Sequence, residues 1–306
     1  MGAKMEELVK NIIESMEKGE APPWEKPWFS RGMMNWKTGR SYNGMNTLSL
    51  AWTSEKRRYT SEQWLTFKQC ADGEGRIKKG EHGSPVFFWS FDRETDKDGK
   101  PVPGGKTRAW VKTYIVFNLD QTEGLKPRKT QARELKPNET AERILTMSGA
   151  RIFYRGNQPA FCPAKDLIEL PERTAWKSDE AFYSTAFHEL THWTAPKDRA
   201  NRPHVYQGEG RAFEELVAEI GGAFLAAFCG YEYHHEHTAY LATWVKMFKD
   251  KPDTLFRAAG KAQKAADYIL CCAGLKEKTA YQDEESTPTP EKIEAEKMSK
   301  SLPLFA

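Results

Sequence analysis

Residues 188–192 read His-Glu-Leu-Thr-His, and this pentapeptide restricts the fold more than any other stretch of the 306-residue chain. Residues four apart share one face of an α-helix, so His188 and His192 can hold a single metal ion if the segment is helical. Glu189 sits one step round, where it can reach a metal-activated water without being a ligand. The string matches H-E-x-x-H, in which two histidines bind zinc and the glutamate removes a proton from water. The flanking residues supply the helix. Phe182, Ala186, Leu190 and Trp193 recur at helical spacing and form an apolar stripe beside the histidines. Ser178 and Asp179, followed by Glu180, suit an N-terminal cap, and Pro196 stops the helix. The motif is therefore expected on a half-buried helix. A surface helix with two hydrogen-bonded histidines is the plainer alternative, and the next helix weighs against it.

That next helix, FEELVAEIGGAFL at 213–225, is very apolar yet carries Glu214, Glu215 and Glu219. Buried carboxylates are costly unless paired or metal-bound. Glu215 and Glu219 are four apart and share a face. The pattern resembles the second helix of gluzincin peptidases, where the first acid binds zinc and the later one accepts a hydrogen bond from a ligand histidine. The resemblance implies Glu215 as third ligand and Glu219 as the partner that fixes a histidine tautomer. The converse assignment fits the same spacing. Zn2+ is the expected cofactor, and other divalent metals such as Mn2+ suit the same donors. Gly221 and Gly222 predict a close backbone approach, with the HELTH helix as candidate neighbour. A group to stabilise an oxyanion is not identified by spacing. Tyr231, Tyr233, His234, His235, His237 and Tyr240 are candidates, and an exposed polar loop explains that cluster equally well.

The chain has room for two domains. Its mean hydropathy is −0.73, and no run approaches transmembrane length. The first twenty residues lack a long apolar core and a cleavage site. Leu8, Ile12, Ile13 and Met16 recur there at helical spacing, which reads as an amphipathic helix and not a signal peptide. The five cysteines form no CxxC pair and no even framework. A reducing cytoplasm, no disulfides and no membrane association are therefore expected. The net charge of +3 does not by itself specify a nucleic-acid partner. Locally, however, the N-terminal third interleaves aromatics such as Trp24, Trp28, Trp36, Tyr42 and Trp64 with Lys26, Lys37, Arg40, Lys68 and Lys79. Single-stranded nucleic acid needs such a surface, because bases stack on rings while cations track phosphates. Core tryptophans beside a solvated basic face account for the same composition.

The stretch GEAPPWEKPWFSRGMMNWKTGRSYNGMNTLSLAW resembles the opening of the ArdC-type antirestriction family, whose N-terminal domain is shared with TraC-type plasmid primases. Later pieces agree in order: WLTFKQCADGEGRIKKGEHGSPVFFW, YIVFNLDQTEGL, PAKDLIELP, AFYSTAFHELTHWTAPKDRANR and EELVAEIGGAFL. The resemblance spans residues 5 to 275 or so. It departs at HVYQGEGRAFEELVAE, between the metal-site helices, which leaves Tyr206 without a carried-over role. The resemblance implies a protein of mobile elements or phages with an N-terminal single-stranded-DNA-binding domain and a C-terminal zincin-like metallopeptidase domain. The implied metal ligands are His188, His192 and Glu215, with Glu189 as base. The DNA-facing residues are expected among Trp24, Trp28, Asn35, Tyr42, Asn46, Gln69 and Lys79. A host DNA-processing or restriction enzyme is the implied protein substrate. The alternative is protection of DNA by occlusion, with the zinc domain structural or inactive.

The expected fold is α+β in two domains: residues 1–125 mixed α/β, 126–137 a linker, and 138–281 mainly helical with a small sheet. Strands are expected at Ser84–Phe91 and Arg108–Phe117, and short helices within Tyr42–Phe67. In the second domain a helix near Glu139–Ser148 precedes strands at Arg151–Tyr154, Ala160–Cys162 and Asp166–Leu170, then four helices. Residues 282–306 are polar and charged and are expected to be disordered. Their closing SLPLF resembles L-x-L-F peptides that dock on sliding clamps, although a frayed end with a few apolar residues is the favoured reading.

Overall fold

The computed structural model describes residues 3–25, 32–93, 107–128, 137–202, 208–234 and 238–277. Contacts divide the chain into two units, residues 1–88 with 113–276 and residues 89–112 with 277–306. Helix α1 (Ala3–Glu17) buries Met5, Leu8, Val9, Ile12 and Ile13, as its amphipathic spacing requires. Next come β1 (Met34–Asn35), α2 (Met45–Arg57), β2 (Gln63–Thr66), α3 (Phe67–Asp72) and β3 (Arg76–Ile77). Strands β4 (Ser84–Arg93) and β5 (Thr107–Asn118) follow, then β6 (Thr122–Glu123), which pairs antiparallel with β3. A four-stranded sheet runs in the order β1-β2-β5-β4.

Strand β2 lies inside the stretch that reads as short helices. Gln63, Trp64 and Leu65 are all buried, so no alternation marks the strand in the sequence. Its identity comes from pairing with β5, which sets Leu65 opposite Phe117 across a long sequence separation.

The second half opens with α4 (Pro137–Met147). Strands β7 (Arg151–Tyr154), β8 (Ala160–Cys162) and β9 (Leu167–Leu170) form a small sheet ordered β7-β9-β8. Strand β8 is antiparallel to β9 and lies at the sheet's edge among the described residues. Four helices complete the fold: α5 (Asp179–Trp193), α6 (Gly208–Cys229), α7 (Thr238–Asp250) and α8 (Asp253–Cys272). The architecture is α+β, with a mixed N-terminal region and a mainly helical C-terminal one. No helix among the described residues is long and apolar enough to cross a membrane.

The two sequence regions share a core. Helix α1 packs on α7, and α2 on α8. Trp24 is fully buried, edge-on to Trp244 at 5.9 Å between ring centroids. Phe87 meets Phe256 in the same edge-on way at 5.4 Å. The backbone N–H of Gly44 donates to Gln263 Oε1 at 2.9 Å. Trp24 thus seals the packing between the two regions and presents no face to a nucleic acid, contrary to its expected role. A tryptophan ring carries roughly 150–250 Å² of largely apolar surface, which favours burial over display.

Candidate metal centre

Helix α5 starts where its cap places it: the Ser178 hydroxyl oxygen accepts from the Ala181 N–H at 3.2 Å, with Asp179 and Glu180 in the first turn. Phe182 through Trp193 are all buried, so the helix is covered more completely than its single apolar stripe indicates. Helix α6 packs along it, and β8 and β9 pack on it as well. Glycines allow the close approach. A Cβ at Gly221 would lie 2.5 Å from Thr191 Cγ2, and one at Gly222 would lie 2.8 Å from Tyr233 Cε2 and 3.2 Å from the His188 amide nitrogen.

This packing brings the expected ligands together. His188 Nε2 and His192 Nε2 are 3.1 Å apart, and Glu215 Oε2 lies 3.5 Å from the first and 3.7 Å from the second. A tetrahedral ion about 2.0–2.1 Å from each donor would set neighbouring donors about 3.3–3.4 Å apart, so the three residues fit a zinc-sized divalent cation. The outer ring nitrogens support that fit. His188 Nδ1 is 3.1 Å from Glu219 Oε1, and His192 Nδ1 is 3.3 Å from Glu214 Oε1. A carboxylate at Nδ1 holds the proton there and turns the Nε2 lone pair inward.

Each supporting carboxylate is anchored in turn. Glu219 Oε2 accepts from the buried Tyr233 hydroxyl at 2.9 Å. Burial, and then the Glu219 charge, push that phenol well above its ordinary range, so it stays a donor. Glu214 accepts from Arg202 Nη2 at 2.7 Å and Nε at 3.1 Å. Arg202, itself buried, also donates to Thr194 Oγ1 and to the Thr191 carbonyl. Burial alone would raise the Glu214 carboxyl, but hydrogen bonds from His192 and Arg202 outweigh it and lower it to about 2. Glu215 is likewise held well below the carboxylate range, because His188 and His192 overcome its burial. Burial would lower His188, yet the facing charge of Glu219 and the hydrogen bonds of Glu215 and Glu219 raise it well above an ordinary histidine.

Glu189 is buried, and its Oε2 accepts the Phe161 N–H of edge strand β8 at 2.6 Å. That bond ties the carboxylate to the strand edge. Arg211 Nε lies 3.5 Å from Glu215 Oε1 and donates to the Tyr240 hydroxyl at 3.0 Å.

Sequence spacing leaves Glu214 without a role, and the structure assigns it to His192. Its signal was the third acid on an apolar helix, but its cation, Arg202, comes from outside both helices. Tyr233 backs Glu219, Tyr231 donates to Asn138 Oδ1, and His234 is exposed beside Glu232. His235, His237 and Tyr206 lie outside the described residues, as do Trp28 and the SLPLF terminus.

Of the residues expected to face DNA, three converge. Asn35 Nδ2 donates to Gln69 Oε1 at 3.0 Å, Gln69 Nε2 returns a bond to Asn35 Oδ1 at 3.3 Å, and Tyr42 joins through its hydroxyl at 3.4 Å. Gln69 also borders a cleft of about 250 Å³ with Trp36, Lys37, Lys126 and Arg128. Lys79 is exposed. Asn46 is buried, and both ends of its amide bind the Phe87 backbone at 2.7 Å, so it braces α2 against β4.

Two family models match the chain. One, described as the N-terminal domain of anti-restriction factor ArdC, matches residues 3–117, and the other, a zincin-like metallopeptidase, matches 139–261. Two DNA primases TraC of Escherichia coli are 36% and 34% identical over 288 and 289 residues, 87% of this chain in each case. The chain spans only 20% and 27% of those primases' length. An uncharacterized protein of Sinorhizobium fredii is 28% identical over 281 residues, which is 86% of this chain and 90% of that one. The metal-free crystal structure of the antirestriction ArdC protein from plasmid R388 is similar with a TM-score of 0.75 at 31% identity, over 90% of this chain and 99% of that one. Its Mn(II)-bound structure gives 0.74, also at 31% identity, over 88% and 97%.

Proposed function

The chain belongs to the ArdC antirestriction family, and on that footing we propose that it binds single-stranded DNA through its N-terminal region and hydrolyses peptide bonds at the His188–His192–Glu215 centre. It would serve a plasmid or phage on entry into a host, and its protein substrate would be a host restriction or DNA-processing enzyme. The observation that carries the peptidase reading is the convergence of three donor atoms whose two imidazoles are each backed by a carboxylate.

A bound divalent cation, Zn2+ or Mn2+, supplies Lewis-acid polarisation of water and of the scissile carbonyl. His188 and His192 hold it through Nε2, and Glu215 completes the set through a carboxylate oxygen. Glu189 takes the proton of the attacking water and returns it to the leaving amine. Its bond from the Phe161 N–H keeps the carboxylate in place for both transfers. The edge of β8, apart from the Phe161 N–H that Glu189 already takes, would pair with an extended substrate.

The burial of Glu189 and its engagement with β8 favour one second reading, in which DNA is protected by occlusion and the metal domain is silent. Purified wild type and Glu189→Ala, each with zinc, restriction-enzyme components and single-stranded DNA, separate the two. Loss of both DNA protection and protein cleavage in the variant supports the DNA-guided peptidase. Unchanged protection in the variant refutes it in favour of occlusion.

A further inference from the structure

Helices α6, α7 and α8 enclose a second cavity, of about 380 Å³, whose inner wall is the Arg202–Glu214 pair. Thr254, Arg257 and Lys261 line it from one face of α8, at the spacing of successive helical turns. Its acids each face a cation, two of them the same one. Glu214 is bound by Arg202, while Glu209 and Asp250 both face Lys246, at 3.5 and 3.3 Å. Two of its remaining cations, Lys251 and Lys261, are not matched. Lys251 and Lys261 make no ion pair among the described residues, and Arg257 has only a 4.0 Å contact with Asp253. Lys261 is half-buried, and burial, then the charge of Arg202, outweigh the opposing charge of Glu214 and, with Arg257, hold its ammonium below the usual lysine range. An unpaired, partly desolvated lysine beside two arginines is unfavourable without a counter-anion. Phe213, over whose ring the Arg257 guanidinium sits at 5.4 Å, supplies an aromatic wall.

We propose that this cavity binds a phosphate-bearing ligand of nucleotide size, with the phosphate among Lys251, Arg257 and Lys261 and the base against Phe213 and Met247. A phosphate monoester carries a charge of about −1.5 to −2 and three acceptor oxygens, which suits two unpaired lysines beside Arg257 better than a single carboxylate does. The volume falls within the roughly 300–1,000 Å³ range of small-molecule pockets. The site lies on the helices of the C-terminal region, on residues other than those proposed to touch single-stranded DNA.

The full-length, metal-free chain is titrated calorimetrically with thymidine 5′-monophosphate and with thymidine. The same is done with oligothymidylate carrying or lacking a 5′-phosphate, and all four are repeated on Lys261→Met and Arg257→Met. The expected result is binding of the monophosphate and not of thymidine, weakened about tenfold or more in each variant, as loss of a charge-assisted hydrogen bond gives. Unphosphorylated oligothymidylate, which reports on the DNA-binding reading, should bind all three proteins alike. Unliganded Lys261→Met should melt no lower than wild type, because it removes an unpaired, half-buried charge; this shows that the weakened binding is not unfolding. A gain from the 5′-phosphate that vanishes in Lys261→Met identifies a strand end as the natural ligand. A response to the monophosphate alone identifies a free nucleotide. The proposal is overturned if the monophosphate binds no better than thymidine, or if both variants bind it as wild type does.

Discussion

Replacing Gly221 by alanine pits two opposed effects of similar size against each other. Gly221 is interior to α6, so alanine should favour the helix by about 1 kcal/mol. Against this stands the added Cβ, 2.5 Å from Thr191 Cγ2 and 2.8 Å from Thr191 Oγ1. Thr191 cannot turn away cheaply, since it is fully buried and its hydroxyl donates to the Phe187 carbonyl at 2.8 Å. Overpacking of this kind costs about 1–3 kcal/mol, so Gly221→Ala should destabilise the metal-free chain by on the order of 1 kcal/mol net. Thr191 lies between His188 and His192 on α5, and Glu215 lies on α6. Forcing the helices apart should therefore also weaken metal binding. Urea denaturation and competition with a zinc chelator measure the two effects. In a Thr191→Ala background the nearest remaining atom is Thr191 Cβ at 3.3 Å, and the same glycine replacement should become neutral or stabilising. The cycle isolates the clash from the propensity. A wild-type-background Gly221→Ala that gains stability and keeps its metal affinity would refute the close-packing argument.

Glu219→Gln should weaken metal binding about 10–100-fold, since it removes the carboxylate that fixes the His188 tautomer; chelator competition reads this directly. Arg202→Met leaves buried Glu214 without its cation and with His192 alone, and should cost the metal-free chain about 3 kcal/mol in urea denaturation. Glu214 itself makes stability depend on pH. Its folded value is lowered from 4.5 to about 2, so its contribution is complete above pH 4.5 and fades as pH falls through 2. That contribution is on the order of 3 kcal/mol, and a Glu214→Gln chain whose acid transition matched the wild type would exclude it. Trp24→Ala should cost about 3–5 kcal/mol of stability through the cavity against Trp244. A variant that keeps full stability and loses only DNA affinity would contradict the buried placement.

Short-range spacing was enough to set His188 and His192 side by side, because a helix turns residues four apart onto one face whatever surrounds it. That pair and the cap at Ser178 were legible locally, as were strands β4 and β5, whereas Glu215 was distinguished from Glu219 by the resemblance to gluzincin peptidases and not by spacing. The close approach of Gly221 and Gly222 could also be read, since adjacent glycines inside an apolar helix have few other uses. Which carboxylate backs which histidine was not legible. Glu214 and Glu219 lie on one helix on either side of Glu215, and only the packing of α6 on α5, with Arg202 and Tyr233 arriving from separate segments, divides the two tasks. Strand β2 exists because β5 pairs with it, and full burial erased the alternation that would have announced it. Trp24 and Asn46 have the composition of nucleic-acid contacts, yet tertiary packing spends both in the core. The cationic cavity beside Arg202 has no sequence signature, because its charges come from three helices and their imbalance appears only after every acid has found its partner. Local periodicity determined the chemistry this chain can hold, and long-range contact decided how that chemistry is oriented, sealed and charged.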